Sequence, residues 1–122
     1  MSQLHLKRAL LELSLEHGVI GCALVATDTG FVFASTLVQS EFEIIAESAR
    51  DYWILHTKNT QAFDRLGDVR NISVQHQKGL LNVQPCDDQT LLVTLAKLGQ
   101  VQWQNWPEKV ANLAKNLSVS AN

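Results

Sequence analysis

Proline, cysteine and methionine are scarce in this chain: its 122 residues include two, two and one of them. The two cysteines, Cys22 and Cys86, each sit inside an apolar or strand-like run. They make no disulfide framework, and a chain of this length needs none to hold its core, so both read as reduced packing thiols of a cytoplasmic protein. Surplus positive charge is missing as well. Ten Lys and Arg stand against twelve Asp and Glu, a formal net charge of −2, which argues against holding a phosphate backbone by counterion release and against a nucleic-acid partner. Long hydrophobic runs are also absent. The longest, Val19 to Ala26, falls far short of the roughly 20 residues that span a bilayer. Near the start, Arg8 and Glu12 interrupt the leucines where a signal peptide needs a continuous apolar block. No membrane segment is expected.

The side chains of catalysis and cofactor binding are few and scattered. None of His5, His17, His56 and His76 stands four residues from another, and no Cys-x-x-Cys accompanies them, so no metal site is expected. Gly18 and Gly21 are followed by no Gly-Lys-Ser or Gly-Lys-Thr, the arrangement that cradles a nucleotide's phosphates. Neither cysteine lies in the basic setting that makes a thiolate nucleophile. Asp28, Thr29 and Gly30 do spell the triplet of aspartic proteases, but those enzymes are almost wholly β and follow the triplet with Ala or Ser, whereas Phe31 follows here. The triplet reads as a tight turn in which Gly30 takes positive φ. No catalytic residue and no cofactor are expected.

What is present is a globular composition, 46% hydrophobic and 18% charged, in a single domain over residues 1–122. A chain of this size buries roughly two thirds of its unfolded surface. Ser2 to His17 reads as a helix closed by Gly18, with Leu6, Ala9, Leu10 and Leu13 on one face and Leu4, Leu11 and Leu15 on the other, a pattern that predicts a sandwiched helix. Val19 to Ala26 predicts a strand covered on both faces, and Phe31 to Ser35 returns as its hairpin partner. Ser40 and Glu43 match a capping box and open a second helix to about Arg65 or Leu66, closed by Gly67 and Asp68. Three strands follow: Val69 to His76, Leu80 to Gln84 ended by Pro85, and Thr90 to Ala96. Pro107 starts or kinks a last helix carrying Trp106, Val110, Leu113 and Leu117, with a frayed tail beyond. Hairpins imply antiparallel pairing and helices covering the sheet, an α+β sandwich.

The surface is more informative than any polar triad. The second helix carries a main apolar face of Phe42, Ile45, Ala46, Ala49, Tyr52, Trp53 and Phe63. Beside it runs a further stripe of Ile44, Leu55, Ala62 and Leu66 with Ser48 among them, bordered by Glu47, Arg50, Asp51, Lys58 and Arg65 as a polar rim borders an interface. In the third strand Val69, Ile72 and Val74 alternate with Arg70, Asn71, Ser73 and Gln75. At a sheet edge this strand leaves backbone donors and acceptors that a second copy would satisfy across a two-fold axis. Trp103 and Trp106 read first as an aromatic lid over the core and second as interface anchors.

The run Gly18 to Ser35, GVIGCALVATDTGFVFAS, resembles the opening hairpin of the roadblock/LC7 family. Ile72 to Leu95, with Gly79, Leu80, Val83, Pro85, Asp88 and Leu91 to Val93, resembles that family's three-strand meander, and the likeness extends over about residues 3–117. Two features depart from the pattern: Asp-Thr-Gly stands where the family often has a shorter Asp-Gly, and Pro107 falls in a helix that is usually smooth. The resemblance implies a profilin-like sandwich with a five-stranded antiparallel sheet of order 2-1-5-4-3, the long helix on one face and the terminal helices on the other. It also implies a homodimer joined through third strands and antiparallel long helices, with Ile44, Ser48, Asp51 and Leu55 near the axis. The partner it implies is a Ras-like small GTPase, regulated or scaffolded without chemistry from this chain. The residues expected at the dimer or partner interface are Ile44, Ser48, Asp51, Leu55, Lys58, Asn71, Ser73 and Gln75. The alternative is an adaptor or sensor of the same fold that holds a small ligand or peptide and needs no GTPase.

Overall fold

The computed structural model describes residues 2–36, 40–59 and 61–121, with side chains for 5–36, 42–59, 61–115 and 117. Helix α1 (Ser2–Ser14) leads into β1 (Val19–Ala26) and β2 (Val32–Ser35); α2 (Ser40–Thr57) crosses to β3 (Ile72–Gln75), β4 (Leu80–Asp87) and β5 (Thr90–Ala96), and α3 (Trp106–Ala121) closes the chain. The strands form one antiparallel sheet of order β2-β1-β5-β4-β3.

Strand alternation divides the core into two layers. Cys22, Leu24 and Leu92 face α1 and α3, where they meet Leu6, Leu10, Leu13, Trp106, Val110, Leu113 and Leu117. Ala23, Val25, Val83, Leu91 and Val93 face the other way, against Phe42, Ala46, Ala49 and Trp53 of α2. Each fully buried aliphatic side chain contributes about 1.5–3 kcal/mol, so β1 and β5, apolar on both faces, are the centre of the fold. The sandwich carries the long helix on one face and the terminal helices on the other.

Several boundaries differ from the sequence reading. α1 ends at Ser14, and Leu11 on its outer side and Leu15 just past its end are 46% and 83% exposed; α1 lies beside α3 on the sheet and is covered on one side, not sandwiched. α2 begins at Ser40, whose side chain lies outside the described residues, but stops at Thr57. There Asn59 turns its side-chain amide back to donate to the Leu55 carbonyl at 2.8 Å, and the chain folds over so that Phe63 stacks on His56 with ring centroids 4.4 Å apart. Phe63, Ala62 and Leu66 therefore lie beyond the helix. Pro85 does not end its strand. β3 pairs with β4 only up to Val83, and the β4–β5 register shifts between Pro85 and Asp87, so proline's missing N–H falls where the ladder is already open. β3 is four residues long and leaves Val69 outside it. Pro107 is the second residue of α3, where a missing N–H breaks no helical bond, and the helix continues to Ala121. Trp106 is buried with Trp103 edge-on at 5.5 Å, a lid over the α1/α3 core.

Candidate functional site

On α2 the four residues Phe42, Ala46, Ala49 and Trp53 take the buried face. At 3.6 residues per turn, Ile44, Ser48, Asp51 and Leu55 fall within an arc of roughly 60° on the opposite side. They form one stripe directed away from the sheet, in which Ile44 is 63% and Leu55 66% exposed. A large aliphatic side chain left in water on a helix that already has a complete core face is surface available for burial against something else. Lys58, also exposed, sits in the turn just past the helix, its N–H bonded to the Ile54 carbonyl at 3.0 Å.

The strand residues lie elsewhere. Ile72 and Val74 pack beneath α2, so Ser73 and Gln75 point to the opposite face of the sheet. There Asn82 of β4, itself buried, donates from Nδ2 to Ser73 Oγ at 2.9 Å and to Asn71 Oδ1 at 3.2 Å. The eight expected interface residues thus fall into two groups, five on α2 and the turn after it and three at β3 on the opposite face of the sheet. β3 ends the sheet, with no strand beside its outer row among the described residues.

Two residues read as core from the sequence stand elsewhere. Ile45 and Tyr52, on the flank of α2, are partly exposed and, together with Ile44 and Ser48 of the stripe, line a groove of about 400 Å³ that Leu81 and Leu95 of the sheet also line. A second hollow, about 300 Å³, lies between α1 and α3, where Lys109 bridges to Glu16; a third, about 280 Å³, lies where Trp53 and His56 meet Asp64 and Asp68.

The Asp28–Gly30 segment is a turn. Gly30 has φ +78° and its N–H donates to the Ala26 carbonyl at 2.9 Å, while Arg50 of α2 donates to the carbonyls of Thr27 and Asp28 and leaves the Asp28 carboxylate exposed. Cys22 and Cys86 are both free thiols. Burial pushes Cys22 up to about 11, against the smaller opposing effect of hydrogen bonds from Ser14 and Thr94; burial, aided by Asp87, pushes Cys86 up to about 12. Among the described residues no group of three or more His, Cys, Asp or Glu is arranged to hold a metal ion, and no helix is long and apolar enough to cross a membrane.

Together these features define an α+β sandwich on a single antiparallel sheet with one short edge strand and an outward apolar stripe on its long helix. The chain belongs to the Roadblock/LC7 domain family, whose family model matches residues 6–96. Its structure is similar to that of a Roadblock/LC7 domain from Streptomyces avermitilis, with 21% identity, coverage of 93% of this chain and 94% of that one, and a TM-score of 0.79. It is similar to MglB in a tetrameric arrangement (15% identity, 98% and 93% coverage, TM-score 0.78) and to the gliding protein MglB of Thermus thermophilus (19% identity, 98% and 93% coverage, TM-score 0.73). At these identities the likeness is one of fold. No curated protein matches the sequence.

Proposed function

We propose that this chain is a non-enzymatic, cytoplasmic homodimer that positions or regulates a Ras-like small GTPase. The observation that carries the reading is the outward stripe of α2, where Ile44 and Leu55 stand in water on a helix whose core face is complete without them. The free edge of β3 supports the dimer, because a second copy paired there satisfies both outer rows of backbone groups without any change in the sheet. Membership of the Roadblock/LC7 family and similarity in fold to the gliding protein MglB of Thermus thermophilus support a signalling partner of this kind. Regulation would act through unequal affinity for the GTPase's two nucleotide states, since only a difference in affinity shifts a population.

The test is nucleotide turnover and exchange by a Ras-like GTPase taken from the same genome, measured with and without the chain, together with its affinity for the GDP and GTP forms. A change in hydrolysis, exchange or state preference that disappears with Ile44→Asp supports the reading. No change in any of the three contradicts it.

A further inference from the structure

Just past the C-terminal end of α2 the chain folds back on its own helix and forms a hollow of about 280 Å³ with aromatic walls and two carboxylates. We infer that this hollow is a binding site for a guanidinium group, the head of an arginine side chain on a partner polypeptide. This goes beyond the GTPase reading and does not rest on it. None of the eight residues expected at the dimer or partner interface lines the hollow. His56 lies roughly 100° around α2 from Leu55, on the side of the buried Trp53.

The walls point to a cation. Trp53, His56 and Phe63 line the hollow, the last two stacked with ring centroids 4.4 Å apart and planes 20° from parallel, and the faces of tryptophan and phenylalanine attract positive charge. Asp64 and Asp68 line it as well; both are exposed, and neither forms an ion pair among the described residues. The hollow also sits at the negative end of the α2 dipole. Opposing charge is kept out. No Lys or Arg among the described residues lines the hollow, although Arg65 falls between the two aspartates in the chain.

Among cations a guanidinium uses every part of this lining. It is flat and weakly hydrated, so it stacks on a ring while its N–H groups donate in plane to carboxylates. A quaternary ammonium has no N–H to give the aspartates, and a lysine ammonium holds its water against the rings. The volume, about 280 Å³, falls just under the roughly 300–1,000 Å³ of small-molecule pockets and suits one long side chain. The walls are held by the fold itself: the Leu66 N–H donates to the Phe63 carbonyl at 2.9 Å, the Gly67 N–H to the Asp64 carbonyl at 3.1 Å, and the Asn59 amide to the Leu55 carbonyl. Because both carboxylates stay at the solvent edge, each pairing contributes roughly two- to fivefold in affinity, and stacking on the rings a similar factor of roughly two to five.

The test is an NMR titration of the isotope-labelled full chain with N-acetyl-arginine methylamide, its citrulline and lysine counterparts, tetramethylammonium, and the blocked peptide Gly-Gly-Arg-Gly-Gly. The expected result is one saturable site per chain, with shifts centred on residues 53–57 and 63–69. The arginine amide is expected to bind roughly tenfold or more tighter than citrulline, its uncharged isostere, and severalfold tighter than lysine or tetramethylammonium, with the peptide at least as tight. Asp64→Asn/Asp68→Asn, at two exposed positions and checked for a wild-type circular dichroism spectrum, is expected to bring arginine down to the level of citrulline. Phe63→Leu is expected to weaken arginine severalfold while its preference over citrulline remains. Equal affinity for arginine and citrulline, equal affinity for arginine and lysine, or arginine binding untouched by the double asparagine variant would overturn the inference. So would binding of the amide without binding of the peptide, because the occupant would then be a free small molecule.

Discussion

Arg50 holds Asp28 by its backbone: Nη2 donates to the Asp28 carbonyl and Nε to the Thr27 carbonyl, each at 2.6 Å. The middle of α2 is thereby fastened to the tip of the β1–β2 hairpin by polar contacts that add to the apolar packing beneath the helix. In this fold the Asp28–Gly30 triplet is a turn, and it meets Arg50 through the main-chain oxygen of Asp28, not the carboxylate.

Arg50→Ala is expected to cost about 1.5–3 kcal/mol in urea unfolding, the range for hydrogen bonds from a charged donor. Asp28→Asn is expected to stay within about 0.5 kcal/mol of wild type, as exposed substitutions do. A large loss from Asp28→Asn would mean that the carboxylate carries a load the geometry does not give it.

Two turn glycines separate backbone strain from steric collision. Both Gly18 and Gly30 have positive φ, +88° and +78°. A Cβ at position 30 would meet only the flexible Arg50 side chain at 3.2 Å, whereas one at position 18 would stand 2.7 Å from Gln100 Cβ and 2.8 Å from the Gln100 backbone carbon. Gly30→Ala is expected to cost about 1–2 kcal/mol for the left-handed backbone, with a small further loss where the Arg50 side chain shifts to make room. Gly18→Ala is expected to cost more, read as the larger drop in midpoint at unchanged denaturant slope.

The thiols supply a pH test. Both cysteines have folded pKa values raised above the ordinary value of 9.0, to about 11 and about 12. The unfolded chain therefore releases these protons first. Their contribution to stability is whole below pH 9 and is lost as pH rises through 9 toward the folded values. Wild type is expected to lose stability more steeply above about pH 9 than the Cys22→Ala/Cys86→Ala variant. Alkylation at about pH 8 is expected to be negligible in the folded protein and complete at both sites after unfolding.

Leu55→Asp tests α2 as part of the dimer. Leu55 is 66% exposed in the isolated chain, so the variant is expected to fold with wild-type stability, while an interface that covers this stripe would have to bury two unpaired carboxylates. Light scattering is expected to show monomers. A variant that remains fully dimeric removes α2 from the seam and leaves the stripe to another partner.

Much of the fold is legible in the sequence because local signals and packing agree. The span of β1 follows from its unbroken apolar run, and the two core layers follow from alternation along β5. The end of α2 was not legible. Apolar residues continue at helical spacing through Phe63 and Leu66, and no glycine or proline intervenes before Gly67. The actual stop comes from the Asn59 side chain and the His56–Phe63 stack, which only the folded chain reveals. The outer leucines of α1 misled for a related reason, since periodicity marks a face as apolar but not as covered.

The candidate surfaces were half legible. The Ile44–Leu55 stripe can be read from spacing alone, and so can the alternation that sends Ser73 and Gln75 to one side of β3. That the two groups lie on opposite faces of the sheet depends on which face α2 occupies, which no local pattern encodes. The groove was invisible for the same reason. Ile20, Ile45, Leu81 and Leu95 converge from four elements, and in the sequence each is an ordinary apolar residue.

The claim on which the rest depends is that the outer row of β3 is completed by a second copy of the chain. Its most direct measurement is the mass in solution by light scattering across a wide range of protein concentration. The expected mass is twice the 13.6 kDa of one chain, falling toward the single-chain value only on strong dilution. A particle of 13.6 kDa that persists at the highest concentration would contradict the account.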